Sequence, residues 1–365
     1  MTDQTLASHQ VTGPVQLWFR DPLSCLQATM ATVLLRQGED PLAVLGLCWE
    51  FLYLPGDVRP EEFYYPCRYS GDVAHSMAPY HPIHSEWWRP ADTDDPLREI
   101  AGRLDRDQLM IAAVDNYYLP FRPAFHDVHA AHLLVVYGLD RERGTIRVSD
   151  AMPPAFQGNI SVDEFTRSWS SGNPADFQDA FFSDAGIGRR CLEVRLAGPL
   201  PPVDRQVLRS ALDANVQRFA TGAPAGATGA PAGWSGLHGL RRYLDELTSR
   251  SQAGDSRVLA EAYAFGWPVQ AQCYLHGELL TRLGAQWGIP ALREAGRAVA
   301  SVGYAWTGLR MTAAHGRVEP SRDHVEPSGD DGDTGVAAAL AAHGRRLRRR
   351  YETAVESIEH ALEIL

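Results

Sequence analysis

No stretch of the chain approaches the ~20 consecutive apolar residues that a membrane helix needs. The opening residues, MTDQTLASHQ, are polar, where a secretory signal would place a basic region and then an apolar run. The expectation is a cytoplasmic protein without a membrane segment. Positive charge is also scarce: Lys+Arg number 34 against 45 Asp+Glu, a formal net charge of −11. A general nucleic-acid binder, whose affinity rests on a basic footprint, is excluded by that balance. Lysine is absent, and Arg, Ala, Gly and Pro are abundant, the bias of a GC-rich coding sequence. The five cysteines, Cys25, Cys48, Cys67, Cys191 and Cys273, are odd in number, scattered and without CxxC pairs. That usage fits a reduced compartment better than a disulfide framework. Neither HExxH nor any other paired metal signature occurs.

What remains is ordinary globular composition, 45% hydrophobic and 22% charged over 365 residues, long enough for one large domain or two ordinary ones. Two segments read as breaks. Residues 220–233, ATGAPAGATGAPAG, repeat TGAPAG and supply no core, so they read as a flexible linker or exposed loop. Residues 315–335 are polar and acidic, repeat VEPS, and read as disordered. Before the first break the pattern is mixed. CLQATMATVLLRQG predicts a helix from Cys25 to the stop at Gly38, and PLAVLGLCWEFLYLP a second, strongly apolar one. QLMIAAVD, HLLVVYGLD, TIRVSDA and RCLEVRLAG predict strands, the second and third joined by the turn DRERG. After the break every long segment carries helical periodicity. The expected fold is α+β over residues 10–200, then an all-α domain over 201–365.

Cys25 is the nucleophile candidate. It follows turn residues Asp21 and Pro22 at a predicted helix start, where unpaired backbone N–H groups and the helix dipole favour thiolate over thiol. The same N–H groups would stabilise an oxyanion. Cys67, in a loop after Pro66, is the rival. The bland alternative is that Cys25 is a small buried hydrophobe.

His132 opens the strand HLLVVYGLD and Asp150 closes TIRVSD, so a hairpin makes them neighbours. A carboxylate beside the imidazole would fix its tautomer and leave the other nitrogen free for a thiol. Cysteine on a helix, histidine on a strand and carboxylate on the next strand follow the nucleophile, base and orienter logic of papain-like enzymes. The opposing reading has His132 filling a strand start and Asp150 a turn before AMPP. His126 and His129 lie just upstream, and His129 is a candidate to line the same cleft. Metal sets, His126 with His129 and His132, or His75, His81 and His84 with Cys67, compete weakly because neither has a known spacing. No metal is expected.

SCLQATMATVLLRQG and the run VDNYYLPFRPAFHDVHAAHLLVVYGLDRERGTIRVSDAMPPAFQGNIS together resemble the N-terminal domain of the butirosin biosynthesis protein H family, over roughly residues 15–200. That is a papain-like, C39-peptidase-related group of natural-product gene clusters. The resemblance implies Cys25, His132 and Asp150 as triad. It also implies transfer of an acyl group from a carrier-protein thioester to an amine, with His132 removing the amine's proton. The partners implied are an acyl or peptidyl carrier protein and a small-molecule amine. No cofactor of the chain's own is implied, since phosphopantetheine rides on the carrier. Papain's glutamine before the cysteine has no counterpart at that spacing. The nearest is Gln16, so the backbone N–H of Cys25 is the expected oxyanion donor. The rival functions are thioester hydrolysis or cyclisation, peptide cleavage, or a catalytically silent binding protein.

Three further expectations concern binding. The aromatics Tyr117, Tyr118, Phe121 and Phe125 would wall an acyl or pantetheine channel, or else pack the domain. Asp115, at a strand end, would bind the acceptor amine, or else cap a turn. Arg345, Arg346, Arg348, Arg349 and Arg350, five arginines in six residues of an acidic chain, would dock an acidic carrier protein, or else form a solvated helix face.

Overall fold

The structure is a computed structural model that describes residues 8–175, 181–221, 224–225, 233–255, 257–318 and 331–365. Its strands are β1 Ser8–Gln10, β2 Leu52–Tyr53, β3 Ile83–Trp88, β4 Met110–Asp115, β5 Ala131–Asp140, β6 Thr145–Asp150, β7 Phe156–Ser161, β8 Cys191–Leu196, β9 Pro224–Ala225 and β10 Gly233–Ser235. Its helices are α1 Cys25–Arg36, α2 Pro41–Leu45, α3 Val73–Met77, α4 Leu97–Leu104, α5 Val162–Ser170, α6 Arg205–Thr221, α7 Gly236–Gln252, α8 Arg257–Gln286, α9 Pro290–Val318 and α10 Asp331–Ile364. No helix among the described residues is long and apolar enough to cross a membrane.

The chain forms an α+β region followed by a helical one. Its contacts define two compact units that do not meet at a single point of the sequence. The first draws on Met1–Asp40, Pro60–Phe63 and His84–Arg195; the second on Pro41–Arg59, Tyr64–Ile83 and Leu196–Leu365. Two segments between residues 41 and 83 thus group with the helical part, where one boundary near residue 200 was expected.

The first unit is built on a seven-stranded sheet of order β3-β8-β4-β5-β6-β7, with β1 paired to β5. The pairings of β4 with β5, β5 with β6 and β6 with β7 are antiparallel. β4 is buried along its whole length, which is why MIAAVD reads as a continuous apolar run instead of alternating. Ile100, Val114, Leu134, Val136, Ile146 and Trp169 belong to one buried cluster of this sheet with α4 and α5. Each such side chain removed from water contributes about 1.5–3 kcal/mol. α1 packs on β5 and β6. β3 and β7 have no counterpart among the expected strands: Gly158 and the polar Gln157 and Asn159 weaken the β signal of β7, and β3 carries its burial only at Ile83 and Ser85.

The second unit holds α2, α3 and α6–α10 with the small sheet β2-β10-β9. The apolar segment after Pro41 is a helix only to Leu45, a correction to the long helix expected there. At Gly46 a Cβ would stand 2.6 Å from the Leu42 carbonyl oxygen and 2.8 Å from that of Leu275, so the chain turns where only glycine fits. Beyond it Trp49 and Phe51 are fully buried. Trp49 stacks on Tyr351 with centroids 5.7 Å apart, and Phe51 on Trp306 at 6.4 Å. Most of the expected flexible segments, 220–233 and 315–335, lies outside the described residues. Their described ends are ordered otherwise: 224–225 and 233 are strand, β10 pairs antiparallel with β2, and 315–318 and 331–335 are helix.

Candidate active site

Helix α1 begins at Cys25 because Ser24 caps it. The Ser24 hydroxyl accepts from the Leu26 N–H at 3.3 Å, and the Ser24 N–H donates to Gln27 Oε1 at 3.1 Å, a capping box. Gly38, at φ +80°, ends the helix. Cys25 is thus the first helical residue, as its setting in the sequence predicts, but it is 0% exposed.

His132 is the second residue of β5. In the hairpin Val135 faces Ser149, so Asp150 falls beside Leu134 and becomes the diagonal neighbour of His132 on one sheet face. His132 Nε2 lies 2.8 Å from Asp150 Oδ2. Arg122 fixes that carboxylate from the far side: its Nη1 donates to Asp150 Oδ2 at 3.2 Å and to the carbonyls of Met152 and Pro153 at 3.3 and 3.4 Å.

The other imidazole nitrogen is not free, as the hairpin reading expected it to be. His132 Nδ1 lies 2.6 Å from Glu62 Oε2, and both residues are buried. Glu62 is held by its neighbours. Glu61 accepts from Arg190 Nη2 at 2.7 Å, the Arg190 guanidinium sits 5.3 Å from the Phe63 ring, and Phe63 meets Trp87 at 5.6 Å. Cys25 Sγ, Glu62 and His132 present ligating atoms within 4.8 Å of one another. These are donor types that metals take. Yet two ligands on one tetrahedral zinc stand about 3.3 Å apart, from bonds of about 2.0 Å, and the 2.6 Å between His132 and Glu62 is a hydrogen-bond distance. The arrangement is a hydrogen-bonded cluster. Neither of the competing histidine sets converges among the described residues.

The electrostatics follow from burial and two carboxylates. Burial first, then the Glu62 charge, push the Cys25 thiol up to about 12, against the weaker opposing pull of His132 and the Leu133 backbone. This corrects the expectation of a thiol activated by its helix end: the dipole acts, but the thiol is out of water and faces an anion. Burial alone would lower His132. Asp150, then Glu62 and Cys25, outweigh it and hold His132 well above its usual 6.5. Burial and Glu62 thus favour the thiol form of Cys25, while Asp150 and Glu62 favour the protonated form of His132.

The remaining candidates separate clearly. Asp115 is 0% exposed. It accepts from the N–H groups of Tyr117 and Ala130 at 3.0 and 3.2 Å and from Ser171 Oγ at 2.6 Å, and it lies 2.7 Å from His129 Nδ1. Its lone pairs are spent inside the protein, so the amine-binding expectation for Asp115 is corrected to a turn-fixing one. His129 orients on Asp115 and stacks on Tyr117 at 4.2 Å, and Tyr118 meets Tyr117 edge-on at 5.0 Å. Phe121 stacks on Phe156 at 4.1 Å and packs against the sheet's buried cluster, which corrects its placement in a channel wall. Cys67, the rival nucleophile, is pushed up to about 11, chiefly by burial. Cys48, Cys191 and Cys273 are buried. Arg345, Arg346, Arg348, Arg349 and Arg350 are exposed on α10 around the buried Leu347, and Arg348 pairs with Glu352 at 2.9 Å.

Residues 24–151 match the family described as Butirosin biosynthesis protein H, N-terminal. That segment is similar to the N-terminal domain of this family. It runs from the cap of α1 to the residue after Asp150, so Cys25, Glu62, Arg122, His132 and Asp150 all fall within it. No curated protein matches the chain. Glu62 and Arg122 are the residues that sequence reasoning missed. The only signal for Glu62 was an acidic pair set directly against aromatics, PEEFYY.

Proposed function

We propose that the chain is an acyltransferase of natural-product biosynthesis, with Cys25 as nucleophile, His132 as its cationic partner and Asp150 as orienter. One observation carries the reading: within a segment similar to the butirosin biosynthesis protein H family, a cysteine that opens a helix stands against a histidine whose far nitrogen is 2.8 Å from a buried aspartate. The Cys25 sulfur attacks the thioester carbonyl of an acyl group carried on phosphopantetheine, and its thiol proton passes to the departing pantetheine sulfur. The pantetheine leaves as a thiol, and the acyl group rests on Sγ. Exchange of one thioester for another is nearly isoenergetic and needs little help to the leaving group. An amine then attacks the acyl-enzyme, forms the amide and releases Cys25. The partners in this reading are an acyl or peptidyl carrier protein and a small-molecule amine. The exposed arginines Arg345, Arg346, Arg348, Arg349 and Arg350 support docking of an acidic carrier by charge complementarity.

The test is product analysis with an acyl-loaded carrier protein and a mixture of primary amines. The expected product is amide, lost in Cys25→Ala and in His132→Ala. Carboxylic acid alone, whatever amine is offered, assigns the site to hydrolysis instead.

A further inference from the structure

The mechanism as stated leaves the acceptor's proton without a destination. An amine that arrives as ammonium must lose a proton before its nitrogen can attack. His132 is the expected base, yet both of its nitrogens are engaged by carboxylates, at 2.6 and 2.8 Å. Each bond to an anion favours a proton on that nitrogen, and an imidazolium accepts nothing. Asp150 is turned away, between the far side of the ring and Arg122. At the sulfur side of the ring stands Glu62, buried, with a carboxylate oxygen within 4.8 Å of Cys25 Sγ. A nitrogen attacking an acyl carbon bonded to Sγ must come to about 3–3.5 Å of that carbon, a distance within reach of a carboxylate that lies within 4.8 Å of Sγ.

We propose that Glu62 is the residue that reads the acceptor as a cation and takes its proton. This rests on the acyltransferase reading above. Charge supports it. Two carboxylates, Glu62 and Asp150, are balanced in the resting site by His132 and Arg122. When the acceptor's ammonium pairs with Glu62, one N–H proton passes to the carboxylate and the free amine attacks the thioester carbon. A C–N bond forms, and the tetrahedral adduct then loses its C–S bond. The second nitrogen-borne proton goes to the leaving Cys25 thiolate, and Glu62 returns its proton to solvent. The balance is acyl-enzyme plus R–NH3⁺ giving amide, Cys25 thiol and H⁺. Water and neutral alcohols bring no charge for Glu62 to pair with, which gives the site a basis for preferring amines.

The groups surrounding Glu62 are Cys25 from α1, His132 from β5 with Asp150 and Arg122 behind it, and the adjoining Glu61–Arg190 pair. The test must keep their titrations apart from that of Glu62. Wild type, Glu62→Gln and Glu62→Asp are first acylated with the butyryl thioester of N-acetylcysteamine, and the adduct on Cys25 is confirmed by mass. Its discharge is then followed with butylamine, an ammonium at neutral pH, and with hydroxylamine, which is neutral there. In Glu62→Gln the amide-to-acid ratio with butylamine should fall about 100-fold near neutral pH, the scale of general-base catalysis. It should recover as pH rises toward the amine's own ionisation, while the hydroxylamine ratio stays as in wild type. Should the Gln variant fail to acylate, Glu62→Asp replaces it: the retracted carboxylate must lower the butylamine ratio alone. An adduct that discharges to butylamine equally well in wild type and in these variants overturns the role of Glu62 and leaves the acyltransferase reading standing. The absence of any adduct on wild-type Cys25 removes both.

Discussion

His129 with Asp115 and His132 with Asp150 are two histidine–aspartate pairs set three residues apart at the head of β5, with nitrogen–oxygen distances of 2.7 and 2.8 Å and both aspartates buried. In sequence setting and in distance they are nearly alike, although His129 bonds through Nδ1 and His132 through Nε2. They part at what surrounds them. Asp115 collects two backbone N–H groups and a serine hydroxyl, and its histidine stacks on Tyr117. That pair ties a turn to the sheet. Asp150 spends one oxygen on His132 and Arg122, and across the imidazole lie Glu62 and the sulfur of Cys25. A histidine–carboxylate bond alone therefore identifies nothing. The chemistry is decided by the groups at the second nitrogen.

The comparison breaks most sharply on the aspartates themselves. Asp150→Asn should lower acyl-transfer turnover by about 10⁴-fold with the fold intact, as when a triad carboxylate elsewhere is neutralised. Asp115→Asn should instead cost about 1–3 kcal/mol of stability, because a buried acceptor is lost to its donors, and leave turnover per folded molecule unchanged. Paired turnover and denaturant measurements decide it; equal losses of turnover would erase the distinction. One step outward, Arg122→Met releases Asp150 and should reduce kcat by about 10–100-fold, the effect of small misplacement. Ser171→Ala, the matching change beside Asp115, should leave kcat alone. An Arg122 variant with full kcat would show that Asp150 needs no anchor.

The cluster around His132 should also respond to pH. His132 is raised in the folded state, so its contribution to stability is complete below the unfolded value near 6.5 and is lost as pH rises through the higher folded one. Cys25 adds the same sign at higher pH: the native thiol keeps a proton that the unfolded chain releases near 9, up to about 12. Thermal melts across this range should show stability falling with pH, less steeply above pH 9 in Cys25→Ala. An identical slope in that variant contradicts the raised thiol. The smallest effect lies far from both pairs in sequence. Reversing Arg345 and Arg349 to Glu should change stability by no more than about 0.5 kcal/mol. It should also raise the KM for carrier-bound substrate and flatten its salt dependence, with small soluble thioesters used as before. An unchanged carrier response makes this cluster a solvated helix face.

Much of the first unit was legible in the sequence because its signals are local. The turn residues Asp21 and Pro22 and the stop at Gly38 mark the ends of α1, and the apolar runs mark β4, β5 and β6. The hairpin made the meeting of His132 and Asp150 readable, since a short turn fixes register. Glu62 was not readable, because 70 residues separate it from His132 and no periodicity records that approach. The same holds for Arg122 at Asp150. Residue type suggested an amine site at Asp115, but only the structure shows that its oxygens are already engaged. The helix N-terminus correctly placed Cys25, and burial with a neighbouring anion reversed the sign of its expected shift. The apolar segment after Pro41 misled for a related reason: Trp49 and Phe51 supply core packing in extended backbone, and hydrophobicity alone does not distinguish that from a helix.

The central claim, that acyl transfer passes through Cys25, is tested most directly by single-turnover trapping. Wild-type protein and Cys25→Ala are mixed with an acyl-loaded carrier protein in the absence of amine, quenched in acid and mapped by peptide mass. The account predicts the acyl mass on the peptide that contains Cys25 in the wild type and nowhere in the variant. It further predicts discharge of that adduct to an amide when amine is added. A wild-type enzyme that carries no acyl mass, together with a Cys25→Ala variant that still forms amide, would contradict it.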